Sequence, residues 1–118
     1  MAGLNGKQKK LLFALIESAE KKKTITYGKL AEKTGFAQSG IGRELEVVGE
    51  YLEREKHSAI LNTIAINKSK GIPSNGMERF FRGYDSLSKT EKEILVLLLQ
   101  KCVFNYGKWN EIDLEKGE

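Results

Sequence analysis

At 118 residues, 40% hydrophobic and 31% charged, the chain suits one soluble globular domain with a modest core and is too short for several. No apolar run approaches the ~20 residues of a membrane span, the start MAGLNGKQKK lacks the apolar stretch of a signal peptide, and one cysteine excludes an internal disulfide and a thiolate metal cage. A cytoplasmic protein without cofactor or metal is expected, and a net charge of +4 with a pI near 9.1 leans toward an anionic partner.

In chain order, residues 5–20 place Leu12, Leu15, Ile16 and Ala19 on one face of a first helix, which the lysines at 21–23 follow. Thr26 is a suitable N-cap for a short helix over 27–33 that buries Leu30 and Ala31, and Gly35 stands where a helix C-terminus favours glycine. A longer helix is predicted over 38–56, with Ile41, Leu45, Val48 and Leu52 in one stripe and Ser39, Arg43, Glu46, Glu50 and Arg54 opposite. Gly40 and Gly42 weaken its start by about 1 kcal/mol each against alanine, and their small side chains permit another backbone to approach.

The run SAILNTIAI at 59–67 reads as a strand, followed by the turn-rich NKSKGIPSNG and a short helix over 77–84. Ser88 and Glu91 have capping-box spacing at the head of a strong helix, 91–104, whose apolar character nearly all round predicts extensive burial. Cys102 lies in that helix between Leu99 and Val103 and is expected to be a buried structural thiol. Trp109 and Ile112 are expected to form a last turn over the core.

Charge is segregated along this order. Residues 1–43 carry nine Lys/Arg against three Glu, whereas 44–55 carry five Glu and one Arg. Residues 56–82 are basic again and the tail is mildly acidic. The expected fold is mainly α with a small β element: a winged helix-turn-helix with additional C-terminal helices, its core at about 8–80 and an extension at 81–118. In that architecture the second helix of the pair enters the major groove by its N-terminal end. An all-α bundle with a small hairpin is the alternative.

The stretch TYGKLAEKTGF followed by SGIGREL, then a strand and NKSKGIPSNG, resembles the winged-helix domain of methylguanine-DNA methyltransferases and alkyltransferase-like proteins. The resemblance covers roughly residues 8–80 and rests on Thr26-Tyr27-Gly28, Leu30-Ala31 and Ile41-Gly42-Arg43. The ending at Asn67, Lys68, Gly71, Ile72 and Pro73 is more similar to shorter, cysteine-free relatives that accompany restriction endonucleases. It implies a DNA-binding protein of repair or restriction/defence.

Two departures bear on chemistry. Where the family carries its Pro-Cys-His-Arg strand, this chain has Leu61-Asn62-Thr63-Ile64, so the thiolate that accepts a methyl group is missing and methyl transfer is rejected. Tyr27 matches the family's phosphate-pressing tyrosine, but Ser39 stands where an arginine fills the stack vacated by a flipped base, and Arg43 comes a turn later. Serine is too short to offset the few kcal/mol of base extrusion. Ordinary groove binding remains.

The expected DNA-binding residues are therefore Tyr27, Gln38, Ser39, Arg43, Lys68 and Lys70. Tyr27 either donates its hydroxyl to a phosphate or packs its ring on the core. Arg43 reaches a guanine edge or a phosphate, or pairs with Glu46 or Glu50. Lys68 and Lys70 lie on a wing at 68–76, as backbone contacts or as solvated loop lysines. Arg79 and Arg82 extend this basic surface or cap the short helix. His57 has no Cys/His neighbours for zinc, and no enzyme signature is found. The competing expectation is a protein-interaction module on the same fold, with a homodimer or another protein meeting helix 91–104.

Overall fold

The computed structural model describes residues 3–57, 60–68, 71–73 and 77–109. It is mainly helical, with one two-stranded parallel sheet. The first helix, α1 (Gly6–Glu20), starts in a capping box: Asn5 Oδ1 accepts from Gln8 N at 2.8 Å, and Gln8 Oε1 accepts from Asn5 N at 3.0 Å. Its face of Leu11, Leu12, Ala14, Leu15, Ile16 and Ala19 is buried, and α1 packs against α2, α3, the 61–64 turn and α5 as the centre of the core.

Two residues of strand, β1 (Ile25–Thr26), lead into α2 (Tyr27–Thr34). Thr26 Oγ1 accepts from Lys29 N at 3.3 Å, and Gly35 closes the helix in the left-handed region at φ 84°. A single 3-10 turn, Gln38–Gly40, precedes α3 (Ile41–Arg54), so the helix predicted over 38–56 begins three residues late. Its stripe of Ile41, Leu45, Val48 and Leu52 is buried as expected.

Both α1 and α3 end on a left-handed lysine. Lys22 (φ 57°) and Lys56 (φ 63°) stand where glycine is preferred. Lys23 N donates to Ser18 O at 2.9 Å, and His57 N to Leu52 O at 3.0 Å, which closes each helix in Schellman fashion.

The strand predicted over 59–67 is corrected. Among the described residues of that run, strand pairing is confined to β2 (Ala65–Ile66), parallel to β1 in the register Ile25↔Ala65 and Thr26↔Ile66, while Leu61–Ile64 is a 3-10 helix and residue 59 lies outside the described residues. All four residues of that turn are buried, which the alternating faces of a strand do not provide in a one-sided site. Polar bonds hold the turn: Thr63 Oγ1 to Ile60 O, Asn62 Nδ2 to Leu45 O and Gln100 Nε2 to Thr63 O, each 2.8 Å. Beyond β2, Gly71 N donates to Asn67 O and Asn67 N to Ile72 O, closing a loop over 67–72.

The short helix predicted over 77–84 is a single turn, α4 (Met77–Phe80), followed by a 3-10 turn at Tyr84–Ser86. At Gly40 a Cβ would meet nothing within 4 Å, so the preceding helix is not the close neighbour there and the space is open. Gly49 is the glycine the packing requires: a Cβ would stand 2.5 Å from the Phe80 ring and 3.0 Å from Asn62 Nδ2.

The last helix, α5 (Lys89–Phe104), opens with the expected Ser88/Glu91 capping box. Its expected burial is corrected. Val96, Gln100 and Val103 are buried, but Ile94, Leu97 and Leu98 are each more than half exposed, and Cys102 is exposed rather than buried. The core lies on one side of α5 only. Trp109 is in that core, its Nε1 donating to Val103 O at 3.0 Å, and Ile112 lies outside the described residues.

Candidate nucleic-acid interface

Six residues join the end of α2 to the start of α3, and the 3-10 turn within them packs back on α2. A Cβ on Gly28 would stand 3.5 Å from Gln38 Oε1, so the Gln38 side chain lies along the first turn of α2, next to Tyr27. Tyr27 and Gly42 line one small cleft with Asn62 and Pro73. Tyr27 thus lies beside Gln38 and beside the first turns of α3 at Gly42 and Glu46, and Ser39 and Arg43, neighbours of these in the chain, are exposed. Tyr27 is half-buried and its ring packs against the main core, so the packing alternative applies to the ring.

The charges on α3 are unevenly engaged. Arg79 Nε pairs with Glu50 Oε2 at 3.2 Å and Arg79 Nη2 with Glu53 Oε1 at 3.4 Å, while the guanidinium also lies 5.3 Å from the Phe80 ring centre. Gln8 Nε2 donates to Glu44 Oε1 at 2.9 Å. Among the described residues Arg43 makes no ion pair, so the pairing with Glu46 or Glu50 does not form. Arg79 is spent on the acidic side of α3 and does not extend a basic surface, and neither does it cap α4.

Lys68 is exposed beside the 67–72 loop, and Pro73 carries the end of that loop to the Tyr27 cleft; Lys70 lies outside the described residues. Sequence reasoning missed Lys7. Its Nζ donates to Gly35 O at 3.4 Å and sits 5.5 Å from the Phe36 ring centre, which sets a positive charge on the α2–α3 connection. It missed Lys29 as well, exposed on the first turn of α2. Residue order carries no signal for Lys7, because its neighbours lie 28 residues away.

Asn62 is buried with its amide turned to Leu45 O and its Oδ1 without a protein partner among the described residues. The Tyr27 cleft beside it has a volume of about 10 Å³, the space of one water and far below that of a base. A larger cleft of about 190 Å³ lies on the other side of Asn62, between Gly49, Glu53, His57 and Phe80. Of its polar groups, Glu53 pairs with Arg79 and His57 Nδ1 lies 2.8 Å from the Tyr106 hydroxyl, while Asn62 Oδ1 has no protein partner among the described residues. Among the described residues no three His, Cys, Asp or Glu side chains gather as a metal site, and no helix is long and apolar enough to cross a membrane.

Among the described residues, Glu78, Glu91 and Tyr84 have shifted proton affinities. Backbone N–H groups of Gly83 and Asp85 hold the Glu78 carboxyl below its ordinary range, at 2.7 and 2.9 Å, and the Ser88 N–H and hydroxyl do the same for Glu91. Burial pushes the Tyr84 phenol up, with Asp85 and Tyr27 adding to it. None of these belongs to the Arg43 surface. The two carboxylates hold the Gly83–Asp85 turn and the α5 cap, whereas the Tyr84 hydroxyl is buried without a hydrogen-bond partner among the described residues. Compared with known proteins, the chain matches no family model, no curated protein and no solved structure.

Proposed function

We propose that this chain is a non-catalytic DNA-binding domain of winged helix-turn-helix type, acting in the cytoplasm. It seats the first turns of α3 in the major groove of duplex DNA. The observation that supports this reading is the division of charge on α3: Arg43 is exposed and in no ion pair among the described residues, Glu44, Glu50 and Glu53 are drawn to Gln8 and Arg79, and Glu46, which lines the Tyr27 cleft, is the carboxylate left facing this end. Only the leading end of the helix then enters the groove, with Gln38 and Ser39 beside Arg43. Tyr27, Lys7, Lys29 and Lys68 supply phosphate contacts around it.

The resemblance to alkyltransferase-like proteins supports the same reading and suggests a place in DNA repair or in a restriction/defence system. With Asn62 in place of a thiol, no methyl transfer accompanies binding. The adaptor reading, in which the fold has lost DNA, draws on the exposed apolar face of α5. Salt separates the two, because phosphate neutralisation weakens steeply as salt rises and apolar contact does not. The test is duplex binding across a salt series with Arg43→Ala beside the native chain.

A further inference from the structure

The outer face of α5 is apolar where it should be polar. Ile94 is 56% exposed, Leu97 55% and Leu98 56%, at the i, i+3, i+4 spacing of a single helical stripe. Lys101 continues the stripe, and Glu93 borders it on the flank that Leu97 shares. Among the described residues neither Glu93 nor Lys101 is in an ion pair. Contiguous apolar surface on a helix of this kind marks a contact.

We propose that this stripe pairs with the same stripe of a second copy of this chain, the two helices antiparallel about a two-fold axis at Leu97 and Leu98. The charge pattern selects that partner and that direction. In the antiparallel pair Leu97 meets the partner's Leu98, and the partner's Lys101 lies level with Ile94. Glu93 is then within about one residue rise, ~1.5 Å, of that lysine's level and on the same flank. A parallel pair sets Lys101 against Lys101 and Glu93 against Glu93. The stripe is self-complementary in one arrangement only. Three apolar side chains fall well short of the ~800 Å² per partner of a standard interface, so the dimer is a weak one, forming at about micromolar concentration or above. This inference stands apart from the DNA reading and survives its failure.

Sedimentation equilibrium from ~1 μM to ~1 mM tests it. A monomer–dimer equilibrium is expected, weakened about tenfold or more by Leu98→Glu, a change at a site exposed enough to leave the circular-dichroism spectrum intact. Glu93→Lys or Lys101→Glu alone weakens association, and the double exchange restores it. Direction is read by oxidation. Leu97→Cys in a Cys102→Ser background cross-links across the axis. Native Cys102 does not, because its twin lies about 13 Å away along the helices at ~1.5 Å per residue. A monomer at every concentration, or association indifferent to Leu98→Glu, overturns the proposal. So does ready cross-linking of Ile94→Cys in the same Cys102→Ser background, which marks a parallel pair, because in the antiparallel pair its twin lies about 10 Å away along the helices at ~1.5 Å per residue.

Discussion

Arg79 Nε lies 3.2 Å from Glu50 Oε2, and the same guanidinium reaches Glu53 at 3.4 Å, so one α4 side chain neutralises the outer acidic side of α3. All three side chains are close to half exposed, and screened pairs of that kind add little to stability. Arg79→Ala is therefore expected to change unfolding free energy by under ~1 kcal/mol. Its effect on DNA affinity is larger at low salt, where two freed carboxylates repel phosphate, and it fades as salt rises. Urea denaturation and anisotropy at two salt concentrations measure the two effects on one protein.

Gly49 provides a sign test of packing. Alanine normally stabilises a helix interior by ~1 kcal/mol over glycine. Here its Cβ would lie 2.5 Å from the Phe80 ring, so Gly49→Ala is expected to destabilise instead, by roughly 1–3 kcal/mol. In a Phe80→Ala background the ring clash is gone and only the 3.0 Å approach to Asn62 Nδ2 is left, so the same substitution should cost much less. Chemical denaturation of the four proteins in that cycle reads the coupling.

The two left-handed lysines predict gains. Lys22 and Lys56 hold a conformation that costs an L-residue about 1–2 kcal/mol and costs glycine little. Lys56→Gly is expected to raise stability by ~0.5–1 kcal/mol, after allowance for the freer unfolded chain. Thermal and urea midpoints should move together, and a fall in both would show that the lysine side chain contributes more than its backbone costs.

Glu78 and Glu91 set an acid limit. Both carboxyls are held below the ordinary ~4.3 by N–H donors. Their folded pKa values are depressed, so their stabilisation is fully present above the unfolded value and is lost as pH falls through the folded values. Carboxyl titration by NMR should give both below free glutamate, and Ser88→Ala should move Glu91 part of the way back. The turn at Gly83 and the first turn of α5 should lose amide protection below pH ~4 before the α1 core does.

Local signals were legible wherever one element determined them. The stripes Leu12, Leu15, Ile16, Ala19 and Ile41, Leu45, Val48, Leu52 are all buried, and Thr26, Gly35 and Ser88/Glu91 cap as their spacing implied. Leu61–Ile64 was misread because a short apolar, β-branched run has no period of its own to separate strand from turn. Long-range bonds from Asn62 to Leu45 and from Gln100 to Thr63 hold the turn, and no local rule contains them. Periodicity likewise does not say how much of an apolar helix gets covered, which is why Leu97, Leu98 and Cys102 were expected inside. At the candidate interface, the nearness of Tyr27 to Gln38 and to Gly42 comes from packing of the 38–40 turn and of α3 on α2, which residue order only hints at. The Arg79 clamp, 29 residues from Glu50, did not.

Fluorescence-anisotropy binding to duplex DNA over a salt series, native against Arg43→Ala, bears most directly on the central claim. A log–log fall of affinity with salt is predicted, and Arg43→Ala should weaken binding about tenfold, by ~1–3 kcal/mol if the arginine reads a base edge. If it instead touches phosphate, the salt slope should drop by about one contact. Folded protein that binds no duplex at low salt, or that binds equally well without the Arg43 side chain, would contradict the account.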